Sequence, residues 1–250
     1  MNIVEDLIKF LDSSVTMFHA VKECEKILTE SGFKYLAENK SWDVGPGKYY
    51  TKRNSSSLIA FNVGRGDYHF QITAAHSDSP TFKLKDDPII ESKGYLKLNV
   101  EGYGGMINSS WLDKPLSLGG RVMVESEIGI ETRLLYIDRD LLIIPNVPIH
   151  FNRDVNKGFA FNAQTDMLPI FSAGGLSRQN FNDMLASELR VSQGDIIAKD
   201  LYLVNRQRAG LIGYDNEFIA SGRLDDLECV YTSLRAFVEG KNSGHINVFA

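Results

Sequence analysis

Three short stretches combine residue types at spacings that suit chemistry. The first is Ala75-His76-Ser77-Asp78-Ser79-Pro80. It follows HFQITAA (69–75), an apolar run of strand-like composition, so His76 is expected to end a strand. Open α/β sheets bind ligands at the C-terminal ends of their strands. There an imidazole can ligate a metal through one ring nitrogen, while Asp78 accepts a hydrogen bond from the other and fixes the tautomer. A satisfied surface histidine beside a Ser-Pro turn accounts for the same pattern. The second stretch is Gly222-Arg223-Leu224-Asp225-Asp226. Two acidic groups at a helix start are stabilised by the macrodipole, which is a sufficient structural explanation. The chemical reading is a carboxylate on a strand-to-helix turn, whose two oxygens can bridge two cations. The third is Pro148-Ile149-His150-Phe151-Asn152-Arg153, where His150 ends another apolar run. As an isolated imidazole it reads first as structural.

Other residues carry less. His19 lies near Phe18 and Val21 on a helical pattern and reads as a core residue or a support for a site. His69 and His245 receive no role. There is no nucleophile elbow, no Walker loop and no HExxH. Gly102-Tyr103-Gly104-Gly105 does not open a helix, so it is no nucleotide fingerprint. Cys24 and Cys229 are too few for a disulfide framework or a cysteine zinc site, and read as reduced, inert core residues.

The elements that must position these side chains follow from periodicity. Ile3, Leu7, Phe10 and Leu11 share one helical face; Phe18, Val21, Ile27 and Leu28 share a second, which Gly32 ends. KYYTKR (48–53), SLIAFNV (57–63) and HFQITAA read as strands. From about Thr81 to Tyr214 the texture changes to short strand candidates: YLKLNV (95–100), GRVMVE (120–125), TRLLYI (132–137) and LLIIPNVPI (141–149). One clear helix, Ser177 to Arg190, interrupts them. A strong helix returns over Ser221 to Val238, with Ser221 as its expected cap. INVFA (246–250) then reads as a buried parallel strand. The expected divisions are 1–80, 81–214 and 215–250, the middle one a β-rich module inserted into an α/β domain.

Of the 250 residues, 43% are hydrophobic and 24% charged, which excludes a mainly disordered chain. The net charge of -5 argues against a nucleic-acid partner. MNIVEDLIKF lacks a continuous apolar stretch and reads as no signal peptide, and no run has the length of a membrane span. The expected setting is cytoplasmic, with no membrane partner.

Taken in order, LIKFLDSSVTMFHAV, PGKYYTKRNSSSLIAF, AAHSDSP, EGYGGMINSSWLDKPLSLGGRV, PIHFNRDVNKG and IASGRLDDLECVYTSLRAF resemble the aspartyl aminopeptidase family of di-metal aminopeptidases. The resemblance covers nearly the whole chain. It implies a catalytic α/β sandwich-type domain interrupted by a β-rich dimerisation insert, with dimers building a dodecamer. By that resemblance His76 is a terminal metal ligand, Asp78 its orienter and Asp225 the bridging ligand. His150 matches an insert histidine that reaches an active site from a neighbouring subunit, there holding substrate or stabilising the oxyanion, with metal ligation left open. The resemblance also implies a cis Asp225–Asp226 peptide. The family continues beyond the strand corresponding to INVFA into a paired-glutamate motif and further Asp and His ligands. The chain therefore reads as the N-terminal part of such an enzyme, without the general base and part of the metal shell.

The implied reaction removes one residue, acidic or apolar, from a peptide with a free N-terminus. It uses two divalent ions, zinc first and cobalt or manganese as alternatives. Two other readings stand beside it. One is a non-catalytic assembly or binding subunit that keeps the insert. The other is a deacylase or carboxypeptidase on the same di-metal scaffold, whose substrate lacks a free α-amine.

Overall fold

The computed structural model describes residues 2–66, 69–241 and 244–250. The chain divides into two compact units. One holds the residues up to Ser79 together with Arg208–Ala250; the other is Pro80–Gln207. The sequence expectation put these edges at 81 and 214. No Pro- or Ser-rich linker marks either crossing.

The first unit opens with helices α1 (Ile3–Ser13) and α2 (Met17–Glu30). Asn2 caps α1, its Oδ1 accepting from the Val4 N–H at 3.1 Å. Leu7, Phe10 and Leu11 are buried along α1, and Phe18, Val21, Cys24 and Leu28 along α2. Gly32 adopts φ +81°, which ends α2 and lets the Phe33 N–H reach the Leu28 carbonyl at 3.0 Å. Strands β1 (Lys34–Tyr35), β2 (Gly47–Arg53), β3 (Ser57–Val63) and β4 (Phe70–Thr73) follow. β4 stops three residues short of His76, so the histidine sits on the loop after the strand and not on its last residue.

The second unit contains β5 (Thr81–Ser92), β6 (Tyr95–Tyr103), β7 (Leu116–Ser126), β8 (Gly129–Tyr136), a short α3 (Val155–Gly158), β9 (Ile170–Ser172), α4 (Arg178–Leu189) and β10 (Ile196–Asn205). Its six strands form one sheet in the order β8-β7-β10-β5-β6-β9. Three of them escaped the sequence reading: the 3-residue β9, β5 and β10. β5 and β10 each carry a register irregularity, between Leu84 and Ile89 and between Ile196 and Ala198, which breaks the alternation that marks a strand. The reverse error falls on 141–149. Leu142, Ile143 and Ile144 make only single bridges, because Pro145 and Pro148 remove the donors a ladder needs. One face of the sheet packs with α4 into an apolar core that includes Phe82, Leu98, Leu118, Val122, Phe181 and Leu185. Leu98 is fully buried. Leu98→Ala is expected to destabilise this unit by about 2–5 kcal/mol, read as a lowered denaturant midpoint; an unchanged midpoint would show that the site is not tightly packed.

The chain returns to the first unit through β11 (Gly210–Ile212), β12 (Phe218–Ala220), α5 (Leu224–Glu239) and β13 (Ile246–Phe249). β13 inserts between β3 and β4, antiparallel to the first and parallel to the second. Of INVFA only Phe249 is buried; Ile246 to Val248 are half-buried. α5 buries Leu227, Val230, Tyr231, Leu234 and Phe237. Its rings meet Phe10, Phe33 and Phe249 at 5.2–6.1 Å between centroids, which ties α5 to α1, to the end of α2 and to β13.

Candidate metal centre

Two turns of the first unit build the site. The loop after β4 continues the sheet for two more bonds, from the Ala250 N–H to the Thr73 carbonyl at 3.0 Å and from the Ala75 N–H to the Ala250 carbonyl at 3.1 Å. Ser77 then donates its hydroxyl to the Ser56 carbonyl at 3.1 Å, holding the loop against the β2–β3 turn. His76 is the residue between these two anchors.

The second turn leads into α5. Arg223 is buried, and its Nε and Nη2 both donate to the Leu11 carbonyl at 3.3 and 3.0 Å. That ties the turn to the end of α1. Ser221 does not cap the helix as expected; its hydroxyl accepts from the Arg223 N–H at 3.3 Å within the turn. Asp225 and Asp226 have non-helical backbone angles, and regular helix begins only after them. The peptide between them is cis, the isomer that the sequence resemblance implied.

The two turns meet. His76 Nε2 lies 3.3 Å from Asp225 Oδ1 and 3.9 Å from Asp226 Oδ2, and the His76 backbone N–H donates to Asp226 Oδ2 at 3.2 Å. On the other side of the ring, Nδ1 lies 3.0 Å from Asp78 Oδ1 and 3.1 Å from the Asp78 carbonyl. Ligand atoms of His76, Asp225 and Asp226 all fall within 4.8 Å of one another. Zinc holds nitrogen and oxygen donors near 2.1 Å, so two donors at tetrahedral angles sit about 3.4 Å apart. The His76–Asp225 separation fits that edge. With Nδ1 held by Asp78, Nε2 is the free ligand atom, the arrangement that supports metal-bound histidines. Asp226 was not assigned by the sequence reading. Its one signal was its place in an Asp-Asp pair, where either carboxylate could have turned inward.

Charges in the site act on His76 in opposite senses. Burial alone lowers its pKa; the hydrogen bonds that the ring donates to Asp78 and the charges of Asp78 and Asp226 outweigh it, and the net direction is upward. In the metal-free protein the protonated ring therefore stabilises the fold. That contribution is full below the unfolded value of about 6.5 and is lost as pH rises through the raised folded value. The ring is half exposed, so the contribution is small. Metal binding runs the other way, because the proton must leave Nε2 first. Asp78→Asn is expected to lower the His76 pKa, read from the imidazole proton shifts across a pH titration; an unmoved pKa would remove Asp78 from its supporting role.

The other candidates separate. His150 lies in the second unit, on an exposed turn. His19 shares a hydrogen bond with Thr16 Oγ1 at 2.8 Å, and burial, then the Lys22 charge, lower its pKa to about 4, so it stays neutral. His69 and His245 stack on one another, ring centroids 4.8 Å apart. Cys24 is buried, and burial pushes its thiol up to about 12. Cys229 is exposed and not a core residue, because it follows the aspartate pair on the open side of α5. A hydrogen bond with Asp226 raises its pKa, so it too stays a thiol. No helix is long and apolar enough to cross a membrane among the described residues.

Comparison with known proteins bears on this geometry. The chain is 43% identical over 256 residues to a Clostridium novyi protein described as "Probable M18 family aminopeptidase 2", covering 97% of this chain and 58% of that one. It superposes on the structure of Chaetomium thermophilum mApe1 with a TM-score of 0.89 at 29% identity, over 98% of this chain and 60% of the other. The S. cerevisiae mApe1 dodecamer matches in fold, with a TM-score of 0.84 at 23% identity, over 99% of this chain and 59% of the other. The chain thus spans about three-fifths of the length of the relatives it matches. The model of the aminopeptidase I zinc metalloprotease (M18) family matches residues 10–248, and an imidazole set against paired carboxylates suits the metal in that description. Nearly the whole length being matched, this chain belongs to the M18 family of zinc metalloproteases.

Proposed function

We propose that the protein is a metalloaminopeptidase, which removes single residues from peptides with a free N-terminus. The observation that carries the reading is the convergence of His76 Nε2 on the Asp225 and Asp226 carboxylates, with Asp78 behind the ring. His76 and Asp225 would hold zinc, Asp225 bridging to a second divalent ion; cobalt and manganese suit the same oxygen-rich donors. Bound there, the metal would lower the pKa of water and polarise the scissile carbonyl. Asp78 holds the proton of the neutral ring on Nδ1, which leaves Nε2 for the metal, and fixes the ring plane. The His76 N–H restrains one oxygen of Asp226, so that carboxylate serves as a structural partner or as a ligand through its other oxygen. His150 would hold substrate or stabilise the oxyanion from a neighbouring subunit.

Three donors do not complete a pair of zinc shells, and relatives extend well beyond the aligned part. The general base and the remaining ligands belong to that further length. The proposal includes a homo-oligomer, dimers assembled through the insert and then into a dodecamer, supported by the dodecameric relative. It also includes a cytoplasmic setting, acidic or apolar N-terminal residues as preferred substrates, and no membrane or nucleic-acid partner.

The test is a set of matched peptides with free and acetylated N-termini, given to a protein of the relatives' full length with and without chelator. Cleavage of the free-amine peptide alone, lost on chelation and restored by zinc, is the expected result. Cleavage of the acetylated peptide alone would select a deacylase or carboxypeptidase. No cleavage with normal assembly would select a non-catalytic subunit.

A further inference from the structure

The second unit holds a cavity of about 210 Å³. It lies against β6 and β9, and the irregular stretch 145–168 supplies most of its wall. The volume is below the about 300–1,000 Å³ of sites for drug-sized ligands, so it suits a molecule the size of one amino-acid residue.

The walls are apolar and fixed. Phe159 and Phe161 meet edge to face, ring centroids 5.1 Å apart. Phe161 and Leu168 pack in turn against the buried core of this unit. Ile170 is held in the β6–β9 ladder opposite Lys97. A pocket whose walls are held from behind exists before its ligand arrives, which lowers the cost of binding.

Two side chains of opposite charge border this apolar space, and they do not pair with each other. Lys97 stands on β6 between Leu96 and Leu98, whose side chains enter the core, so its own turns to the cavity side. It is half-buried, and among the described residues its ammonium has no hydrogen-bond or ion-pair partner. A partly buried cation without a partner is costly, and such charges are normally paired. Asp166 is half-buried as well. Its Oδ2 accepts from the Asn162 N–H at 2.8 Å and its Oδ1 from the Thr165 hydroxyl at 3.1 Å. Both bonds come from its own turn. They fix the carboxylate and leave each oxygen able to accept again.

A ligand that satisfies both charges carries a carboxylate for Lys97 and an ammonium for Asp166, with an apolar group for the walls. A fatty carboxylate would leave Asp166 without a cation. An apolar amine would leave Lys97 without an anion. A peptide of several residues exceeds the volume.

We propose that this cavity binds a free apolar α-amino acid, its carboxylate on Lys97, its ammonium on Asp166 and its side chain against Phe159 and Phe161. The proposed reaction would release molecules of this class, though the pocket selects them by its own chemistry. Val147 and Asn152 also line the cavity, and the turn between them carries His150. Occupation therefore bears on how that turn is held.

Titration of the metal-free chain with L-leucine, followed by the Ile170 methyl resonances, tests the site. A saturable shift is expected, with the His150 imidazole signals moving at the same concentration. Leucinamide lacks the carboxylate and N-acetyl-leucine the ammonium; each is expected to bind about tenfold more weakly or worse, the scale of one lost charge-assisted bond. Lys97→Met is expected to weaken leucine by that factor and to leave leucinamide unchanged. Asp166→Asn is expected to weaken leucine and to leave N-acetyl-leucine unchanged; if it disturbs its own turn, the two Lys97→Met titrations decide. No saturable shift, equal binding of the three ligands, leucine bound by Lys97→Met as by the wild type, or leucine and leucinamide weakened alike overturns the site. A His150 signal that stays fixed while Ile170 shifts overturns the link to the turn.

Discussion

Replacing His76 with alanine is expected to remove metal binding from this chain and peptidase activity from a protein of the relatives' full length, while the fold survives. The argument is geometric. Nε2 is the only nitrogen donor within reach of the Asp225 and Asp226 carboxylates among the described residues. Without it two acidic side chains remain, and oxygen donors alone favour harder cations over zinc. The side chain is half exposed and fills no core, so its loss leaves no cavity. The backbone N–H that holds Asp226 is retained. Asp78→Asn is a milder version of the same experiment. It leaves the ligand and weakens its support, for which about 10–100-fold in metal affinity is the usual scale. Calorimetric titration with zinc measures both. Zinc affinity unchanged in His76→Ala would remove the residue from the metal shell, and with it the observation on which the proposed function stands.

His150→Ala is expected to lower kcat by about 10²–10³-fold, the scale for losing an oxyanion donor, with bound metal nearly unchanged. Metal content and kcat are measured on the same preparation. Metal lost in step with activity would make His150 a ligand instead. His150 sits on an exposed turn, held by the bond from the Phe151 N–H to the Pro148 carbonyl at 2.9 Å. Nothing about the turn gives the imidazole a structural task, so its removal costs the second unit little. Action across subunits has its own signature. Mixed oligomers of His76→Ala and His150→Ala contain some sites with both residues intact, and partial activity returns on mixing. Mixtures that stay inactive would place both residues in one chain's own site.

The elements that carry the candidate metal centre were legible to different degrees. α1, α2 and the body of α5 follow from apolar residues three and four apart, a signal local to each segment. The start of α5 was misread. Ser221 has the chemistry of a cap, but the turn is instead fixed by Arg223 reaching the Leu11 carbonyl, a contact no local pattern announces. β5 and β10 were hidden by irregularities in their pairing, and 141–149 looked like a strand because apolar content outweighed two prolines.

The sequence by itself determined which side chains were candidates and that Asp78 can accept a hydrogen bond from His76, since two residues of separation leave the ring and the carboxylate within reach. It also carried the family, through the order of its motifs. Only the tertiary structure decided that His76 meets the aspartates. His76 and Asp226 are 150 positions apart and belong to different elements. They converge because β13 pairs with β4 and anchors the loop at Ala75, while α5 packs on α1 and β13 and sets the aspartate turn beside that loop. Periodicity reports which face of a segment seeks burial. Which ends of two buried segments come to lie together depends on strand pairing and helix packing, and those are properties of the whole fold.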